Sequence, residues 1–92
     1  MKDEEILNSL KHEGYNEVYV WVDKPGFVYE KHSHEYETKL VILSGNIEVE
    51  IDGKKVNLTS GNDFVIPAWK EHSALVGPDG CKYAVGEGEK TT

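Results

Sequence analysis

The sequence predicts a single all-β domain, a sandwich or barrel of short antiparallel strands, and three observations carry that prediction. Short β-branched and aromatic runs recur at regular intervals between turn residues. Ile47, Val49 and Ile51 alternate with Glu48, Glu50 and Asp52, and after Asp52-Gly53 the alternation resumes at Val56 and Leu58, the pattern of a tight hairpin. Three histidines, His32, His34 and His72, fall within or beside such runs, in segments framed by Gly26, Gly45 and Gly61.

Residues 1–16 form an N-terminal helical segment. Asp3 to Lys11 places Ile6, Leu7 and Leu10 on one face with acidic residues in the first turn, and Gly14 ends the helix. Residues 17–86 form the β domain. Val18, Val20 and Val22 alternate with Tyr19 and Trp21, which predicts a strand buried on its valine face and covered by aromatic groups on the other. Lys24-Pro25-Gly26 turns the chain, Phe27 to His34 is extended, and Thr38 to Leu43 is a nearly continuous apolar strand that Ser44-Gly45-Asn46 breaks. The hairpin follows, then a turn at Ser60-Gly61-Asn62 and a strand from Phe64 to Ile66. Pro67 to Glu71 is a loop, His72 to Val76 a strand, Gly77-Pro78-Asp79-Gly80 a turn, and Cys81 to Val85 the closing strand. Beyond it the chain is polar and Gly-rich, a frayed C-terminal tail over 87–92.

Composition narrows the function classes. A chain of 92 residues accommodates one compact domain whose modest core gains from a metal or a partner subunit. Its 17 acidic and 10 basic side chains give a net charge of -7, which opposes the counterion release that nucleic acids and anionic membranes require. No apolar run approaches the roughly 20 residues of a membrane span. The start Met1-Lys-Asp-Glu-Glu lacks the basic and apolar regions of an export signal, and Cys81 is the single cysteine, so a cytoplasmic protein is expected. That cysteine reads as a small buried hydrophobe, and His12 as a solvated group of the helix.

The histidines carry the chemistry. His32 and His34 lie two apart, so both imidazoles project from one face of an extended segment, and closure of a small barrel brings His72 opposite them. Three neutral imidazoles suit Zn, Fe, Cu or Ni and leave coordination positions open for water or substrate, as reactive rather than structural sites do. The competing reading is three imidazoles hydrogen-bonded inside a metal-free barrel.

The spacing of these residues resembles the cupin superfamily. Gly26 is followed after five residues by His32-Ser-His34, with Gly45 closing that segment, and Gly61, Pro67 and His72 stand at the intervals of the second cupin motif. The resemblance implies a short antiparallel jelly-roll barrel with a small N-terminal helix, and a divalent transition metal (Fe, Mn, Ni or Zn) held by His32, His34 and His72. It also implies a homodimer, with the Val18 to Val22 run as the pairing strand, and a small-molecule ligand or substrate.

Three positions depart from the pattern, and the first two bear on the chemistry. Thr38 stands where the superfamily has its metal-binding glutamate, Lys39 occupies the alternative spacing, and neither replaces a carboxylate. Three neutral ligands then leave the charge of the cation uncompensated, which favours an anionic ligand. Thr38 is expected to face inward with Leu40 and Ile42, its hydroxyl within reach of a water on the metal. Glu37 restores an acid only if a bulge turns it inward. Trp69 replaces the second motif's glycine, which predicts an altered loop and an aromatic wall at the mouth, and Val76 replaces its terminal Asn. Tyr29 and Trp69, flanking the motifs, are the first pocket candidates among Trp21, Tyr36 and Tyr83. The function implied is a metal-dependent enzyme, dioxygenase- or isomerase-like, acting on a small molecule. The alternative is a non-catalytic binding or sensor module for a metal or small ligand.

Overall fold

The structure, a computed structural model, describes residues 3–88. One helix, α1 (Asp3–His12), precedes six strands: β1 (Glu17–Asp23), β2 (Val28–His32), β3 (Thr38–Ile51), β4 (Lys54–Thr59), β5 (Asp63–Ile66) and β6 (His72–Glu87). All pairings are antiparallel, in the order β1-β6-β3-β4, with β2 added to β6 and β5 to β3. The long strands β3 and β6 pair from Thr38 opposite Glu87 to Ile51 opposite His72. Each serves two half-sheets: β1 and β5 flank one end of the pair, β2 and β4 the other. The result is the jelly-roll barrel expected, although its hydrogen-bonded sheet is not closed. No helix among the described residues is long and apolar enough to cross a membrane.

The core lies between the half-sheets. Ile42, Ile47, Val49 and Val76 are fully buried, with Leu40, Leu58, Ile66 and Val85 around them; burying each such side chain contributes roughly 1.5–3 kcal/mol. Outside the barrel, α1 packs against β1 and β6 through Leu10, which is 1% exposed. Gly14, at φ +102°, ends it as predicted. Asp52 and Gly53, at φ +55° and +77°, form the hairpin turn that Asp-Gly calls for.

Three expectations are corrected. Ser44-Gly45-Asn46 and Gly77–Gly80 do not end strands but bend them: the β3–β6 ladder shifts register between Ile42 and Ser44 and again between Gly45 and Ile47. Gly45 and Gly80 take φ +77° and +79°, so a glycine-rich segment that resembles a turn is here a strand corner. The faces of β1 are also reversed. Tyr19, Trp21 and Asp23 turn toward the barrel while Val18, Val20 and Val22 turn out, Val22 being 67% exposed. The aromatic side is the one that can satisfy Asp23, a buried carboxylate bonded by the indole and two tyrosine hydroxyls. Finally, β6 runs through Gly86 to Glu87, two residues past Val85, because β1 and β3 pair with it there. Glu87 is therefore strand and not tail; residues 89–92 of the expected tail lie outside the described residues.

Candidate metal centre

His32 ends β2, His34 lies two residues further on, and His72 begins β6 directly opposite His32. Ring centroids stand 4.4 Å (His32–His72), 4.8 Å (His32–His34) and 5.3 Å (His34–His72) apart, and one ligand-capable atom from each falls within 4.8 Å of the others. The structure thus gathers the three histidines that sequence spacing singled out.

The backbone sets the tautomers of His32 and His72. The Nδ1–H of His32 donates to the Glu30 carbonyl at 2.7 Å and that of His72 to the Lys70 carbonyl at 2.9 Å, in each case to the residue two positions earlier. A carbonyl oxygen only accepts, so Nδ1 carries the proton and Nε2 keeps its lone pair. This is how metal-ligating imidazoles are oriented. Trp69 contributes from the loop: its amide donates to the His34 carbonyl at 2.6 Å. Its φ of +66° is the left-handed conformation that a glycine adopts without strain, so the backbone expected to change keeps a glycine's conformation.

Burial lowers the pKa of His34 and of His72. The neighbouring imidazoles act in the same direction, while Glu87 opposes the shift at His34 and the Lys70 carbonyl opposes it at His72. Neutral rings are the ligand form. The sign for stability follows: below about pH 6.5 the unfolded chain protonates these rings and the folded one resists, so acid favours unfolding. Metal-free protein is expected to melt lower at pH 5.5 than at pH 7.5, and the His34→Gln/His72→Gln double variant to lose part of that dependence. Identical pH profiles of wild type and variant would refute the assignment.

The histidines border a cavity of about 220 Å³ in the barrel interior, floored by Leu40, Ile47, Val49 and Val85. Thr38 faces it, 6% exposed, and its Oγ1 is the one buried side-chain polar atom among the described residues without a hydrogen-bond partner. The residues present therefore fit a cation: three imidazoles aimed together, two with the distal nitrogen free, beside a hydroxyl that awaits a partner.

Other candidates are placed elsewhere. Trp69 is 68% exposed and lies outside the cavity lining, because its loop turns the indole away. Glu37 is exposed and accepts from Tyr15 Oη at 2.6 Å, so no bulge turns it inward. Lys39 points away to Glu13, its Nζ 2.8 Å from Oε1. Tyr29 does line the cavity, as do Trp21 and Tyr83, and Tyr36 stacks on His34 at 5.3 Å. Cys81 is 3% exposed, and burial pushes its thiol up to about 11, so it is protonated at neutral pH.

Sequence reasoning missed three residues. Asp23 accepts Tyr29 Oη at 2.7 Å and Trp21 Nε1 at 2.9 Å on Oδ1, and Tyr83 Oη at 2.6 Å on Oδ2. Tyr19 and Glu87 both line the cavity, the tyrosine hydroxyl donating to Glu87 Oε2 at 2.6 Å. The signal for Asp23 and Tyr19 was their shared parity with Trp21. For Glu87 there was none, since it sits among glycines.

Known proteins share this fold. No curated protein matches the chain. Among solved structures, KdgF from Halomonas sp. is 27% identical at TM-score 0.67, covering 79% of this chain and 69% of its own. The DMSP lyase DddQ from Ruegeria pomeroyi DSS-3 is 23% identical at TM-score 0.72, covering 78% of this chain and 37% of its own. The polyketide cyclase RemF from Streptomyces resistomycificus is 22% identical at TM-score 0.68, covering 82% of this chain and 56% of its own. An RmlC-like cupin from Shewanella frigidimarina NCIMB 400 is 21% identical at TM-score 0.68, covering 78% of this chain and 65% of its own. The family model described as the cupin domain matches residues 19–85, nearly all of the barrel and all three histidines, and the chain belongs to that family.

Proposed function

We propose that this protein is a metal-dependent enzyme that holds a small molecule against a divalent transition metal bound by His32, His34 and His72. The observation that carries the reading is the convergence of three imidazoles within 4.8 Å at the edge of a 220 Å³ cavity. A divalent ion there supplies Lewis acidity toward an oxygen of the ligand.

The chain's own residues define what fits beside it. Tyr29 and Tyr83 commit their hydroxyl protons to Asp23, and Tyr19 commits its proton to Glu87. Burial, reinforced by these carboxylates, raises the pKa of all three tyrosines, so they stay protonated. Their oxygens therefore meet a ligand as acceptors. Among the described residues no Lys or Arg lines the cavity. This favours a ligand with one metal-binding oxygen, an apolar body and hydroxyl or amine donors. It is small, since the volume is below that of a drug-sized pocket, roughly 300–1,000 Å³. The fold supports such chemistry, since cupins of the same architecture include a lyase and a cyclase.

Pairing of two copies along β1, the free end of the sheet with Val22 exposed, is part of the same reading. The test is to strip the protein with chelator, reload it with Fe(II), Mn, Ni or Zn, and measure metal per chain and turnover of small hydroxylated substrates. About one metal per chain with turnover supports the enzyme. Binding of metal without any turnover moves the protein to the class of binding modules, and absence of metal uptake sinks both.

A further inference from the structure

We propose that Glu87 supplies, from the adjacent strand, the negative charge that the metal site lacks at position 38. The inference rests on the metal reading above and concerns how the cation is balanced. Three neutral imidazoles leave the full charge of a divalent ion exposed in an apolar barrel, where an unpaired charge is costly. Position 38, a threonine, provides a hydroxyl only.

Four observations point to Glu87. It lies directly opposite Thr38 in the β3–β6 ladder, so the two side chains project from the same face of the sheet. Both line the cavity that the histidines border. The carboxylate is held in place, accepting from Tyr19 Oη at 2.6 Å. Beside it stands the unpartnered Thr38 Oγ1, a donor and acceptor that a water shared with Glu87 would satisfy. The acid has moved one strand sideways, from β3 to β6, while facing the same space.

Zn²⁺ affinity, measured by competition with a chromophoric chelator, tests this without recourse to activity. Glu87→Gln keeps an acceptor for Tyr19 and removes the charge, and is expected to weaken Zn²⁺ binding about 10- to 100-fold, as loss of an outer partner of a metal site does. Glu87→Asp, which keeps the charge, should stay within about threefold of wild type on the same scale. Glu5→Gln, an equal charge loss on the exposed face of α1, should leave affinity unchanged. Adding Thr38→Glu to Glu87→Gln should restore affinity, because the carboxylate then returns to β3. Should Glu87→Gln not fold by circular dichroism, Glu87→Ser removes the same charge in a smaller side chain. An affinity unchanged on loss of the charge overturns the proposal, as does a loss that Thr38→Glu does not restore, which would make Glu87 a prop for Tyr19. If wild-type protein takes up no Zn²⁺, the metal reading itself fails and this inference with it.

Discussion

His72→Ala is expected to abolish metal binding while leaving a folded barrel. His72 is 6% exposed at the start of β6, and its ring lies within 5.3 Å of both other imidazoles. Losing it removes one of three ligands, so affinity should fall by well over 100-fold, since even outer partners of metal sites cost roughly 10–100-fold. The readout is thermal as well as analytical. Metal at a hundred times its Kd stabilises the native state by about 2.7 kcal/mol, which in a domain of this size is roughly 10–20 °C of melting temperature. That increment should appear in wild type and vanish in His72→Ala and His32→Ala. His12→Ala, an exposed imidazole on α1, should retain it. A metal-induced shift of equal size in His72→Ala would place the cation elsewhere.

The prediction illustrates which features were legible in the sequence. The period-two alternation of Ile47, Val49 and Ile51 and the turn chemistry of Asp52-Gly53 are local properties, and the hairpin followed directly. The triad was legible because two residues spaced two apart at the end of an extended segment share a side and the second motif fixes the distance to His72, although β2 itself stops at His32. What local pattern did not reveal was which face of β1 turns inward. Valine and aromatic residues are both good strand formers, and the choice was decided by Asp23, whose carboxylate requires donors from β1, β2 and β6 at once. Glu87 was hidden for a similar reason: its place in the cavity lining is set by its cross-strand neighbour Thr38 and its partner Tyr19, not by the glycines beside it in sequence. Trp69 misled because its backbone contribution, an amide on the His34 carbonyl, is independent of the side chain.

Gly45→Ala should produce the largest loss of stability of any single methyl added to this chain's glycines. At φ +77° an alanine is strained by about 1–2 kcal/mol, and its Cβ would also overlap the Gly80 carbonyl oxygen and crowd Cys81 Cα across the β3–β6 ladder. Those atoms are backbone, so relief requires the two longest strands to separate at their shared corner. A total of about 3 kcal/mol or more is expected, combining the strain with the cost of overpacking. Gly53→Ala is the control: it has the same φ of +77° but meets nothing within 4 Å, so urea denaturation should report only the strain. The corner also joins the end of β3 that carries Thr38 to the end that faces His72. Gly45→Ala should therefore lower metal affinity while Gly53→Ala does not. Equal destabilisation by the two variants would mean that left-handed backbone strain alone, and not the close crossing of β3 and β6, makes Gly45 necessary.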